Sequence, residues 1–176
     1  MITIRELERH EVPDVWSLDR SEVIDAVYYL REGRLILEAE HYDLSGWPAG
    51  EPEQSMPLLV DCFDRGGTFY GAFEGDDLVG AAILDSKFMG REHDQLQLKF
   101  LHVSHAYRNR GLGRTLFEKS VARARELGAR RLYISATPSE NTIRFYLGLG
   151  CVVTDEVDPD LYELEPEDIH LEYAIP

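Results

Sequence analysis

Between residues 95 and 136 the hydrophobic period of the chain changes twice. From Gln95 to Val103, polar Gln95, Gln97 and Lys99 alternate with Leu96, Leu98 and Phe100, the two-residue period of a strand. Leu112, Leu116, Phe117, Val121, Ala124 and Leu127 then recur at helical spacing, and Gly128 follows in the usual capping place. Arg131-Leu132-Tyr133-Ile134-Ser135-Ala136 returns to a strand. Strand, helix and strand in immediate succession imply at least one parallel crossover.

The flanking segments complete a mixed α/β pattern. Residues 2–7 alternate as a strand, and a helix is expected over about 12–20. Residues 34–40 suit a strand and 56–65 a helix. Residues 68–73 and 78–84 are two strands joined as a hairpin by Glu74-Gly75-Asp76-Asp77. A second helix is expected at 140–148, then closing strands near 151–154 and 169–174 around an acidic loop. The Pro- and Gly-rich stretch 45–52 reads as a long loop inside one domain of 176 residues.

Charge narrows the function. Residues 99–131 hold nine Lys/Arg against Glu118 and Glu126, a local balance of +7, so the rest of the −15 chain carries −22. Such a surface repels nucleic acid, whereas a concentrated basic segment suits a small, highly anionic ligand. No apolar run is long enough to cross a bilayer. With no signal-peptide pattern and only Cys62 and Cys151, the expectation is a cytoplasmic protein with reduced thiols.

The basic segment centres on Arg108-Asn109-Arg110-Gly111-Leu112-Gly113-Arg114, between the strand and the amphipathic helix. Amides there have no intrahelical partner, and glycine lets a ligand approach them. Arg110 and Arg114 lie at the positive end of the helix dipole, which costs each on the order of 0.3–1 kcal/mol unless an anion binds. Dinucleotide folds want a third glycine where Leu116 stands, and a P-loop ending in Gly-Lys-Ser/Thr is missing.

Arg108-x-x-Gly111-x-Gly113 resembles the Arg/Gln-x-x-Gly-x-Gly/Ala motif of the Gcn5-related N-acetyltransferases. A second signature follows in order, with Asn141 and then Phe145-Tyr146-Leu147-Gly148-Leu149-Gly150-Cys151. The strong match covers about 78–154, and residues 1–7 fit the family's first strand. The resemblance implies a mostly antiparallel sheet of about seven strands flanked by helices, with two strands splayed beside a bulge. It also implies acetyl-CoA as co-substrate. Backbone groups of Leu101 and Val103 would pair with the pantetheine arm. Residues Arg108 to Arg114 would hold the pyrophosphate, chiefly through main-chain amides. Asn141 would hydrogen-bond the cofactor arm, and Tyr146 would face the thioester sulfur.

Attack on a thioester needs a neutral amine, yet at pH 7 only about one in 10³ lysine-type amines is unprotonated. A base is therefore expected. Where histone-acetylating members carry glutamate this chain has Gln97, leaving Asp85, His102, Glu38 and Glu40 as unranked substitutes. His102 and His105 suit structural or solvent-facing positions better than catalytic ones, and no cluster has the spacing of a metal site. Tyr146 is assigned as a donor to developing thiolate charge. The acceptor would be a small-molecule or peptide amine. Acidic segments 6–64 and 155–172 are expected to receive it, with Glu22, Asp25, Tyr28, Tyr29, Glu38, Glu40 and Trp47 as candidate lining. A non-catalytic acyl-CoA sensor, or another acyl chain or acceptor, remains the alternative. Oligomeric state stays open, with a homodimer the form the resemblance allows.

Overall fold

The computed structural model describes residues 1–176. Seven strands form one sheet: β1 (Ile2–Glu6), β4 (Thr68–Glu74), β5 (Asp77–Leu84), β6 (Gln95–Val103), β7 (Arg131–Ala136), β9 (Ile169–Ala174) and β8 (Val152–Val153), in that spatial order. Every pair is antiparallel except β6 with β7. That pair is the expected crossover, made through α2 (Leu112–Glu126). Two further strands, β2 (Glu22–Arg31) and β3 (Arg34–Leu44), form a separate hairpin.

Central strand β5 reads as a continuous apolar run because both its faces are covered. Val79, Ala82 and Leu84 pack with Leu112, Leu116, Phe117 and Val121 of α2. Ala81 and Ile83 point the other way, into a second cluster with Val12, Val15, Leu59 and Phe69. Gly80 lets α2 approach closely, since a Cβ there would lie 3.2 Å from Leu116 and 3.4 Å from Leu112. Helix α1 (Glu51–Asp64) covers the second face through Leu59 and Cys62, and α3 (Glu140–Leu149) packs against the start of α2 and against β2.

Several expected boundaries are corrected. The first helix is a 3₁₀ segment, Arg9–Ser17, rather than 12–20, and it contains Pro13, whose ring nitrogen cannot donate. Helix α1 begins at Glu51, with Pro52 in its first turn, so the end of the supposed 45–52 loop is helical. The supposed acidic loop holds a short helix, α4 (Pro159–Leu164), capped by the Asp158 carboxylate on the amides of Asp160 and Leu161.

The β6–β7 pair positions the site. Pairing is limited to Gln95–Arg131, Leu96–Leu132 and Gln97–Tyr133. At this end Arg131 bridges Asp94 (2.9 Å), Glu156 (3.2 Å) and Glu172 (3.1 Å), tying β6, β7, β9 and the segment after β8 together. A register shift against β5 leaves Lys99 without an opposite residue, and such a bulge bends its strand. From Leu98 to Val103, β6 is paired on the β5 side only.

Candidate active site

A cavity of about 650 Å³ opens where β6 and β7 part. Of the expected site residues, Leu101, Val103, Arg108, Asn109, Gly111, Gly113, Arg114, Asn141 and Tyr146 line it. Leu112 does not, because its side chain belongs to the core against β5. Arg110 does not either; its guanidinium lies 5.5 Å from the centre of the Tyr107 ring.

At one end the chain turns into α2 through two left-handed residues, Asn109 (φ 61°) and Gly111 (φ 82°). No side chain caps this helix. A Cβ on Gly111 would meet no atom, so the space beside its amide is open. Concave turns of this kind present amides to an anion. Gly113 has a different reason to be glycine: a Cβ would stand 3.3 Å from the Phe145 ring, so its absence lets α3 pack against α2. Arg114 remains exposed, with only a 3.8 Å contact to Glu118.

The Arg108 side chain is not free for phosphate. Its guanidinium donates to the carbonyls of Val103 (2.9 Å), Ser21 (2.9 Å) and Asp19 (3.1 Å). The His105 ring nitrogen also meets the Ser21 carbonyl, at 2.9 Å. Arg108 and His105 thus strap residues 19–21 onto the corner before α2. Any part Arg108 takes in anion binding falls to its main chain.

Helix α3 forms the opposite wall. Phe145 and Tyr146 point in different directions, as adjacent helical residues must. Tyr146 is only 6% exposed and joins the core beside Phe117, yet it also borders the cavity. Burial, with a further contribution from Cys151, raises its pKa above the ordinary tyrosine value. Asn141 lies 3.4 Å from Glu22 on β2. Arg144, which no sequence motif marks, adds a cation to this wall and pairs with Glu140 at 2.9 Å.

The substitute bases fare unequally. Asp85 is buried but does not line the cavity. Burial raises its pKa, and the Lys87 amide, Arg65 and Lys99 more than offset this, so the net shift is downward. Glu38 pairs with Arg31 and Glu40 with Tyr29 and Tyr42, all on the hairpin outside the cavity. Asp25 likewise pairs with His41 there. Of these hairpin candidates only Glu22 reaches the cavity. His102 does line it, packed against Phe100 (4.6 Å) and Trp47 (4.8 Å). Burial, then Arg20 and Arg108, push its pKa down to about 3, so the ring is neutral at pH 7 and a weak base.

Residues 35–150 match the family profile described as Acetyltransferase (GNAT) family. The chain belongs to this family. Membership makes it an acyltransferase. Solved structures agree on the fold at low identity. Nourseothricin acetyltransferase superposes with a TM-score of 0.73 at 18% identity, over 99% of both chains. A Bacillus anthracis protein assigned as a streptothricin acetyltransferase, solved with acetyl coenzyme A, gives 0.73 at 17% over 100% of this chain and 99% of that one. PaiA N-acetyltransferase from Thermoplasma acidophilum, solved with coenzyme A, gives 0.65 at 16% over 99% of each. No curated protein sequence matches significantly.

In this acetyltransferase the turn into α2, apart from Arg110 and Leu112, and residues Asn141 and Tyr146 of α3 border one cavity. Ser135 and Arg20 also line the cavity, and Ser135 hydrogen-bonds Asp168; no sequence motif marks any of the three as a site residue. No group of three or more His, Cys, Asp or Glu stands close enough to hold a metal. No helix is long and apolar enough to cross a membrane.

Proposed function

We propose that the protein transfers the acetyl group of acetyl-CoA to a primary amine on a cationic acceptor, by direct attack in a ternary complex. The cavity carries this reading. It joins an uncapped, glycine-opened helix start at one end to the parted strands β6 and β7 at the other, with Tyr146 between. The pyrophosphate goes to the amides of residues 109–114, with Arg114 and Arg144 nearby to balance its charge. The pantetheine arm takes the unpaired edge of β6 at Leu101 and Val103, and Asn141 steadies it. Structural relatives holding acetyl-CoA or coenzyme A support this assignment.

Tyr146 supplies the hydrogen bond to sulfur as the C–S bond breaks. Free thiols titrate near ~8.5 and tyrosine near ~10, so full transfer of its proton is uphill even before burial raises it further. Its part is therefore donation of a hydrogen bond to developing charge. A cationic acceptor suits a chain carrying −22 outside the basic segment and the acidic residues that gather beyond Ser135.

Thiol release from acetyl-CoA, measured against polyamine, aminoglycoside and lysine-peptide acceptors, tests the proposal. Acceptor-dependent release is expected. Thermal stabilisation by coenzyme A with no release for any acceptor would establish the sensor reading instead.

A further inference from the structure

The reaction needs a base; of the four substitutes named from the sequence, Asp85, Glu38 and Glu40 lie outside the cavity, and His102, which lines it, is a weak base. We propose that Ser135 and Asp168 form the proton relay that deprotonates the acceptor amine, an inference that rests on the acetyl-transfer reading above. The Ser135 hydroxyl donates to the Asp168 carboxylate at 2.8 Å. Ser135 lines the cavity, and its oxygen keeps lone pairs with which to accept from a substrate N–H.

Strand alternation places this pair on the correct side. Ile134 and Ala136 of β7 belong to the core shared with α2 and Tyr146. Ser135 between them therefore projects from the opposite face of the sheet. The hydrogen-bond donor for the leaving sulfur and the base for the entering nitrogen thus approach the gap between β6 and β7 from opposite faces. The amine adds to a face of the planar thioester carbonyl while the sulfur lies in that plane, so a base and a sulfur donor on different sides of the group can act without crowding each other.

The relay balances. An ammonium proton passes to the Ser135 oxygen while the Ser135 proton passes to the Asp168 carboxylate, leaving a neutral amine and a neutral carboxylic acid. The nitrogen lone pair bonds to the acetyl carbon, the C–S bond breaks, and the sulfur electron pair takes the second proton that nitrogen sheds. Asp168 then returns its proton to solvent.

The surroundings shift the Asp168 carboxyl upward from its ordinary value, which makes it a better proton acceptor. Burial raises the Asp168 pKa, the Ser135 hydrogen bond and Arg20 oppose it, and Glu51 of α1 and neighbouring Glu167 raise it further. Glu165 is raised as well, first by burial and then by Asp168, and Glu51 first by burial with Arg20 opposing.

The test is the pH profile of kcat/KM at saturating acetyl-CoA for wild type, Asp168→Asn and Ser135→Ala, with acetyl-CoA affinity measured separately. In Asp168→Asn the rate should follow the free amine alone, falling about tenfold per pH unit below the amine pKa of ~10.4. The deficit should be about 10²–10³-fold at pH 7 and only a few-fold near pH 10, with cofactor affinity unchanged. Ser135→Ala should converge in the same way from a smaller deficit, and it decides the matter if the Asn variant fails to fold. A deficit equal at both pH values, or none at either, overturns the relay while wild-type thiol release still upholds acetyl transfer. A wild type that releases no thiol with any amine overturns both.

Discussion

Replacing Tyr146 by phenylalanine separates what the ring does from what the hydroxyl does. The ring packs against Phe145 and Phe117, with centroids 5.1 Å and 6.3 Å away, and phenylalanine keeps both contacts. Burial and Cys151 account for the raised pKa, with no hydrogen bond among its causes. Removing a mostly buried hydroxyl that lacks a protein partner should leave stability unchanged or raise it by up to about 1 kcal/mol. For a chain of this length that is at most about 2–4 °C in Tm. The single-turnover rate of acetyl transfer should fall by about 10²–10³-fold, equivalent to about 2.7–4 kcal/mol of lost transition-state stabilisation. The rate should therefore fall with no loss of stability, which a packing defect cannot produce. The loss should appear in the chemical step and leave acetyl-CoA affinity intact. Because burial raises the Tyr146 pKa, no alkaline loss of rate should arise from its ionisation below pH 10. A wild-type single-turnover rate in the variant, measured alongside unchanged cofactor affinity, would refute the assignment.

Gly111→Val should abolish the thermal shift produced by coenzyme A, since a β-branched side chain is strained at φ 82° and would fill open space beside the loop amides; a folded variant binding at wild-type affinity would remove the loop from the site. The apparent KM for cationic amines should rise with salt, because the field of the acidic segments is screened over about 10 Å at 0.1 M; a neutral best acceptor with salt-independent kinetics would contradict this. Arg131→Met should lower Tm at neutral pH, since three carboxylates lose their shared cation. Glu156 is held below its ordinary value of 4.5, first by the Arg91 amide and then, against burial, by Arg131. A depressed carboxylate stabilises the fold above its unfolded pKa and loses that contribution as pH falls through the folded value. The gap between variant and wild type, read by thermal melts, should therefore shrink below about pH 4.5.

What the sequence reveals here is what one strand or helix can reveal by itself. The period change at 95–136 locates β6, α2 and β7 closely because each buries a regular face. Strand β2 carries no clean alternation: Val23 and Leu30 are exposed while Ile24 and Val27 are buried, so its pattern predicts no strand. The short helix α4 left a usable signal, Asp158 followed by Pro159 in an N-cap and first-turn arrangement. The glycine loop was legible because its chemistry is local, but the reasons for its residues were not all local. Phe145 explains Gly113, and the carbonyls of Asp19 and Ser21 explain Arg108.

The base illustrates the same limit more sharply. Ser135 and Asp168 are 33 residues apart and meet because β7 lies antiparallel to β9, with Ala136 opposite Ile169. No motif spans such a distance, whereas pairing register fixes it to within one residue. Register also explains why the gap exists. Arg131 gathers Asp94, Glu156 and Glu172 at one end of the β6–β7 pair, holding three residue pairs in place. At the other end the bulge at Lys99 turns β6 aside, and β7 keeps its partner only on the β9 side. A sheet that bound both strands along their full length would have no unpaired backbone edge to offer an extended ligand. The ion cluster and the bulge together confine the pairing to one end. Mutations that loosen the Arg131 cluster should therefore weaken coenzyme A binding from a distance, even though none of its members lines the cavity.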